Sequence, residues 1–187
     1  MSLRPDWAAP CRLYRLCPLR LKLAPGATAE AKWRPIQDGL SRFAGRDLEV
    51  DPVIYRSASE SNQRNRGLAQ FLQAYDRLYF DAVETVDIYT RQASLAVTAR
   101  DLAVMAATLA DGGVNPVTRE HVVDAHTCSH VLAVMATAGL YETSGDWLFD
   151  IGLPGKSGVG GGIVAVAPGK GGLGTFAPPL TFKPEGE

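Results

Sequence analysis

The decapeptide LPGKSGVGGG, residues 153–162, sets a lysine and a serine side by side within a run of glycines. Two kinds of site use such a stretch. In a phosphate-binding loop, the Gly-Lys-Ser triplet opens a helix and its backbone surrounds the phosphate. In one class of serine hydrolases, a similar triplet lies on a strand beside the nucleophile. The spacing of the glycines discriminates between these two structures.

That spacing argues against phosphate and dinucleotide binding. A Walker A loop needs a glycine five residues before the glycine of Gly-Lys-Ser, and Asp150 occupies this position. The residues after Ser157 are typical of a strand, whereas a phosphate-binding loop opens a helix. A dinucleotide fingerprint that includes Gly158 and Gly160 would need glycine or alanine where Ile163 stands. We therefore interpret the decapeptide as a strand lining a pocket, with its lysine as a positive charge near the substrate.

The chain on the N-terminal side of the decapeptide has the spacing of amphipathic helices. Ser57 with Glu60, and Thr98 with Asp101, match the capping box that begins a helix. The predicted helices are residues 29–44 with a stop at Gly45, a helix from Ser57, residues 81–92, a helix from Thr98 to Gly112, and residues 118–138. Residues 47–55 are predicted to be a connection. The helix from Ser57 should bury Leu68, Phe71, Leu72, Tyr75 and Leu78.

Short β-rich runs between glycines and prolines follow these helices. The predicted strands are residues 147–151, 162–167 and 173–176. Helices followed by adjacent antiparallel strands indicate an α+β domain. The domain should cover residues 23–180, after an atypical basic leader over residues 1–22 and before a tail over residues 181–187. A transit peptide and a disordered or mis-started leader both fit residues 1–22, and we favour the latter.

Composition excludes several classes of function. The 187 residues carry a formal net charge of −1, which argues against nucleic acid or anionic membrane as a partner. No apolar run approaches the roughly 18–20 residues that span a bilayer. The odd set of Cys11, Cys17 and Cys128 matches no disulfide framework and favours the cytoplasm. On a helix His126 and His130 share a face from which Cys128 points away, so we predict an ordinary helix surface and no metal or cofactor.

Longer segments around the decapeptide resemble a known family. They are YRSASESNQRNRGLAQFL, VDIYTRQASLAVTARDLAVMAATLADGGVNPVTRE, VLAVMATAGLYETSGDWLFDIGLPGKSGVGGGIVAVAPGK and FAPPL. These segments resemble the serine-dependent glutaminases, which hydrolyse L-glutamine to L-glutamate and ammonia on a β-lactamase/transpeptidase-like fold. The resemblance covers about residues 23–180. It implies an incomplete copy of that fold, glutamine as the substrate, no cofactor, and a homo-oligomer in full-length members.

The resemblance also implies roles for individual residues. Asn65 matches the asparagine that holds the substrate α-carboxylate, and Tyr89 matches a pocket tyrosine. Tyr141 matches a tyrosine near the nucleophile that carries a proton. Lys156 and Ser157 form the Lys-Ser-Gly box, and Val159 matches the residue whose backbone N–H contributes to the oxyanion hole.

Two departures from the family pattern concern the chemistry. No serine of the chain has lysine three residues later, so the family's Ser-x-x-Lys nucleophile motif is absent. Ala58 stands where the family has a glutamate that meets the substrate ammonium. One hypothesis is a piece of a glutaminase that is inactive alone, through truncation, a frameshift or a mis-called start. The alternative is a pseudoenzyme, a module for glutamine binding or subunit interaction. We favour the first and expect poor solubility in isolation.

Overall fold

Helices precede strands in the structure, a computed structural model that describes residues 24–158 and 160–177. The predicted α+β class is confirmed. In these ranges the helices are α1 (Ala29–Ala44), α2 (Pro52–Glu60), α3 (Gln63–Ala74), α4 (Ala82–Ala93), α5 (Ala99–Ala110), α6 (Ala125–Ala138), a 3-10 helix (Tyr141–Thr143) and α7 (Ser144–Ile151). The strands are β1 (Gly155–Ser157), β2 (Gly162–Ala167) and β3 (Gly171–Phe176).

The three strands form one antiparallel sheet in the order β1-β2-β3. Lys156 pairs with Val164, which in turn pairs with Gly174. Helix α5 packs against β2 and β3, and α6 contacts both α5 and β1. One core joins these elements to α1 and consists of Phe43, Ala106, Leu109, Ala110, Cys128, Val131, Met135 and Val166. The sheet edge that carries the Gly-Lys-Ser triplet is therefore held against the end of α6, one face of which is buried in this core.

Local signals set the ends of α1 and α5 as predicted. Helix α1 ends at Gly45, which adopts φ 71°. Thr98 and Asp101 form a capping box at the start of α5. The Arg46 guanidinium donates two hydrogen bonds to Asp101, of 2.9 and 2.7 Å, and lowers the pKa of Asp101 to about 2. These pairs tie the segment after α1 to the start of α5.

The predicted connection over residues 47–55 is wrong for residues 52–55, and the predicted helix start at Ser57 is wrong. Helix α2 begins at Pro52, and Ser57 lies inside it. The Asp51 side chain caps α2 by accepting from the backbone N–H groups of Val53 and Ile54. An Asp-Pro pair favours a helix start because aspartate caps the first turn and proline fits its first position. The capping-box pattern at Ser57 is coincidental.

The predicted buried face between Ser57 and Leu78 is largely wrong. Leu68, Phe71 and Tyr75 are exposed, at 46%, 59% and 65% of their surface. The buried cluster between α3 and α4 is instead built on Ala69, Leu78, Ala82 and Val86, with Leu72 packed against it. The burial predicted for Leu78 is thus confirmed, whereas Ala69 takes the buried place on α3 and Leu68, Phe71 and Tyr75 stay on the surface.

The predicted strand over residues 147–151 is also wrong, because these residues belong to α7. A short apolar run cannot be assigned to strand or helix from periodicity alone. The helix predicted over residues 118–138 begins only at Ala125, behind the cap residue Asp124. The strands predicted over 162–167 and 173–176 are confirmed by β2 and β3. The predicted leader, the tail and Val159 lie outside the described residues.

None of the described helices combines the length and the apolar character that a bilayer crossing requires.

Candidate functional site

The Gly-Lys-Ser triplet lies on strand β1, which confirms its interpretation as a strand. Ser157 pairs with Ile163 of β2, and the Ser157 N–H donates to the Gly139 carbonyl over 3.2 Å. Gly139 follows α6 directly, so β1 runs between its partner strand and the end of this helix. A Cβ atom at Gly139 would lie 1.7 Å from the Gly155 carbonyl oxygen. Only glycine permits so close an approach of helix and strand.

Lys156 is held by backbone carbonyls and an aromatic ring. Its ammonium donates to the Gly139 carbonyl over 2.8 Å and to the Ser157 carbonyl. The ammonium nitrogen also lies 4.5 Å from the centroid of the Tyr141 ring. An ammonium over an aromatic face is attracted by the negative charge of that face. The structure thus brings Tyr141, Lys156 and Ser157 into one cluster.

The backbone at Tyr141 adopts an unusual conformation, with φ 56°. This left-handed region costs a residue other than glycine about 1–3 kcal/mol, and such residues concentrate at functional sites. The buried Ser144 holds the turn. Its hydroxyl donates to the Tyr141 carbonyl over 2.7 Å and accepts from the Leu140 N–H over 2.9 Å. The position of the tyrosine ring over Lys156 therefore depends on Ser144.

A second group of polar residues connects α3 with α4. The side-chain amide of Asn65 donates to the amide oxygen of Asn62. Asn62 in turn donates to the Thr90 hydroxyl over 2.7 Å, and Thr90 donates to the Val86 carbonyl over 2.7 Å. The half-buried Tyr89 precedes Thr90 on α4. This chain of hydrogen bonds orients Asn65 with respect to the helix that carries Tyr89.

Helix α2 is attached to the same part of α4 through charged residues. The Tyr55 hydroxyl donates to the Asp87 carboxylate, which also forms a 2.9 Å ion pair with Arg91. Ala58 follows Tyr55 by less than one turn and is half-buried. Position 58 therefore lies on a helix whose orientation to α4 is defined.

Sequence reasoning missed the residues that support these groups. Asn62, Thr90 and Ser144 lie in the segments that resemble the family but were assigned no role, because their contacts depend on the tertiary structure. Gly139 carried a weak signal, as a lone glycine after an apolar helix and just before the Leu140–Tyr141 pair. Val159, the predicted oxyanion-hole residue, lies outside the described residues.

Neither a second pocket nor a metal cluster competes with these residues in the described part of the chain. A shallow depression of about 290 Å³ is lined by residues that include Leu153, Lys170 and Leu173, and by none of the candidate residues. Within residues 24–158 and 160–177, no group of three or more His, Cys, Asp or Glu side chains could hold a metal ion.

Comparisons with known proteins identify relatives of the chain. The family model described as Glutaminase matches residues 19–184. "Glutaminase 2" of Yersinia pestis is 68% identical over 158 residues, which are 84% of this chain and 46% of the relative. A "Glutaminase" of Colwellia psychrerythraea is 48% identical over 160 residues, which are 86% of this chain and 51% of the relative. The chain thus spans about half the length of the curated relatives it matches.

Solved structures give the same picture for the fold. A structure described as probable glutaminase ybaS superposes with a TM-score of 0.83 at 41% identity, covering 88% of this chain and 53% of the other. A Bacillus glutaminase superposes with a TM-score of 0.82 at 29% identity, covering 88% of this chain and 57% of the other. The expected fold family is confirmed, with partial coverage.

Proposed function

The chain belongs to the glutaminase family, and from that premise we propose that it forms one wall of a site that hydrolyses L-glutamine to L-glutamate and ammonia. The observation that carries this proposal is the cluster of Tyr141, Lys156 and Ser157 on and beside β1. In this cluster the Lys156 ammonium contacts both the phenol ring of Tyr141 and the backbone of strand β1. Acyl transfer needs such groups to move protons and to stabilise negative charge.

The reaction proceeds through an acyl-enzyme intermediate. A serine hydroxyl attacks the side-chain amide carbon of glutamine, and the C–N bond breaks as the nitrogen takes up a proton and leaves as ammonia. Water then attacks the ester, which releases glutamate and restores the hydroxyl. Tyr141 carries protons between serine, leaving nitrogen and water, and Lys156 keeps positive charge beside it. The backbone N–H of Val159 stabilises the oxyanion, a contact worth about 3 kcal/mol when well aligned.

Asn65 and Tyr89 recognise the other end of the substrate. An asparagine amide can donate hydrogen bonds to the α-carboxylate of glutamine. The contacts from Asn65 to Asn62 and from Asn62 to Thr90 support this role, because they fix the amide before substrate binds. A preorganised amide loses less conformational entropy on binding.

The acylating serine is the missing component. No serine among the 187 residues is followed by lysine at the third position. We therefore propose that a serine with its base comes from outside these residues, and that the chain alone releases no ammonia. The whole protein is proposed to be a homo-oligomer. We place it in the cytoplasm, because the odd set of three cysteines matches no disulfide framework.

A second candidate function is a non-catalytic module that binds glutamine. The hydrogen bond from Asn65 to Asn62 supports it, because it orients the proposed carboxylate-binding amide in a chain that has no Ser-x-x-Lys motif. Titration calorimetry with L-glutamine distinguishes the two. The binding module predicts saturable heat from the folded chain alone, whereas one wall of a divided site predicts none.

A hybrid protein tests the roles proposed for the cluster. In this hybrid, the matching 158 residues of this chain replace their counterparts in the Yersinia pestis relative. Lys156→Met and Tyr141→Phe should each lower kcat by about 100-fold or more, the usual cost of removing an electrostatic or proton-transfer group. Lys170→Met, at an exposed lysine, is the matched control. Unchanged kcat in both cluster variants would refute the assignment.

A further inference from the structure

The exposed face of α6 carries two histidines one turn apart. His126 and His130 are both exposed, and their ring centroids lie 4.5 Å apart at an interplanar angle of 78°. Cys128, between them in sequence, is buried in the core. The two imidazoles therefore form a pair on the surface that is separate from the thiol.

A backbone hydrogen bond determines which ring nitrogen of His130 can bind a ligand. The Nδ1 atom of His130 lies 2.9 Å from the carbonyl oxygen of His126. A carbonyl oxygen only accepts, so Nδ1 carries the proton and donates. The lone pair of the neutral ring is then on Nε2. Histidines that bind metals commonly show this arrangement, in which the second nitrogen donates to a carbonyl and fixes the ring.

We propose that His126 and His130 bind one divalent transition-metal ion, of the class of Ni²⁺, Cu²⁺ and Zn²⁺, through their imidazole nitrogens. Imidazole is a preferred ligand of these ions. Two histidines at positions i and i+4 of a helix can share one metal. With metal–nitrogen distances of about 2.1 Å, rings 4.5 Å apart are close enough to share one ion once they turn out of their edge-to-face arrangement.

Water completes the coordination sphere. Asp124 is the nearest acidic residue in sequence, but both its oxygens already accept hydrogen bonds from Thr127, of 2.8 and 2.7 Å. This carboxylate caps α6, and the proposed site does not include it as a ligand. A site with two protein ligands and an open face binds its ion more weakly than a structural zinc site with four protein ligands. The ion is thus exchangeable.

The metal site does not depend on the proposed glutaminase function. It lies in the first half of α6, whereas the Tyr141 and Lys156 cluster begins beyond the other end of that helix. Its test measures metal binding rather than ammonia. Failure of either proposal would therefore leave the other intact.

The test is titration of the tag-free chain with NiCl₂ by isothermal calorimetry. The chain has three histidines, and the exposed His121 serves as the matched control. His126→Ala and His130→Ala should each weaken nickel binding by roughly 100-fold, because the second imidazole binds at high effective concentration. His121→Ala should bind like the wild type. Nickel bound by any other group is bound equally by the wild type and the three variants, so it does not affect the comparison of their affinities.

Selectivity adds a second readout that needs no variant. Cu²⁺ should bind more tightly than Ni²⁺, and Mg²⁺ should not compete, because magnesium prefers oxygen ligands.

Circular dichroism of each variant verifies that the fold is intact, which is expected for exposed positions. A nickel affinity equal to that of the wild type in both His126→Ala and His130→Ala would overturn the proposal. Absence of nickel binding to the wild type, or equal loss in His121→Ala, would also overturn it.

Discussion

Among single side chains, Asp101 links the start of α5 to the segment after α1. Its carboxylate accepts two hydrogen bonds from Arg46 and others from Thr98. Because these contacts favour the charged form, the pKa of Asp101 falls to about 2 in the folded protein. The resulting stability is present above the unfolded pKa of about 3.9 and is lost as the pH falls towards 2.

Asp101→Asn should therefore lower the free energy of unfolding by about 1–2 kcal/mol at pH 7, and the difference should shrink between pH 4 and pH 2. Urea denaturation across that pH range measures it. Asp111→Asn, at an exposed position after the other end of α5, is the control and should cause no such loss. An Asp101→Asn effect of the same size at pH 2 and pH 7 would contradict the assignment.

Ala58 gives a residue-level prediction about the substrate. In the hybrid protein, Ala58→Glu should lower KM for glutamine by about tenfold with little change in kcat. A carboxylate that pairs with the substrate ammonium stabilises ground state and transition state alike. Ala58→Gln has the same shape without the charge and should not reproduce the effect. An equal gain from the glutamine variant would indicate packing instead of ammonium recognition.

The residues that carry the candidate site were predictable only in part. Asn65, Tyr89, Tyr141, Lys156 and Ser157 followed from the family resemblance, and the structure clusters three of them. Their supporting residues could not be predicted. Asn62 contacts Thr90 across 28 positions of sequence, and the role of Ser144 depends on a left-handed residue three positions earlier. No local pattern specifies such contacts.

Among helices and strands, the contact of α6 with β1 has a sharp steric requirement. A side chain at Gly139 would meet the Gly155 carbonyl at 1.7 Å. Gly139→Ala should therefore lower the free energy of unfolding by about 1–3 kcal/mol, the usual cost of overpacking. Gly145→Ala, in α7 with nothing within 4 Å of the added carbon, should be neutral or stabilising. Chemical denaturation compares the two, and equal stability would contradict the packing described here.

Prediction of the elements succeeded where local chemistry is unambiguous. Helix α5 has a complete capping box, and β2 is a β-branched run bounded by turns. It failed at α2, where the Asp51–Pro52 start was overlooked, and at α7, whose aromatic and β-branched residues have strand propensity. The local signal for a helix there was its stop at Gly152, which adopts φ 72°.

For the molecule as a whole, exposed apolar side chains on α2, α3 and α4 predict self-association. Val53, Ile54, Phe71, Tyr75 and Val83 each expose more than half of their surface. The rings of Phe71 and Tyr75 lie 4.8 Å apart. Exposed apolar side chains that lie together, as these two rings do, promote aggregation.

Replacing Phe71 and Tyr75 together by serine should raise the soluble fraction of the chain on expression, because neither side chain contributes to the buried cluster. Light scattering and the supernatant yield measure this. The control is the replacement by serine of Gln70 and Gln73, two exposed polar residues of the same helix. Aggregation that persists unchanged in the Phe71 and Tyr75 double variant would exclude this surface as its cause.

The functional interpretation rests on the proposal that the site is divided. This chain supplies one wall of it, and the acylating serine lies outside these 187 residues. The rate of ammonia release from L-glutamine tests it, measured for the chain alone and for the hybrid with the Yersinia pestis relative. We predict no release by the chain alone and measurable release by the hybrid, since the cluster around Lys156 would then face an acylating serine. Ammonia release by the chain alone, or none by a folded hybrid, would contradict this division.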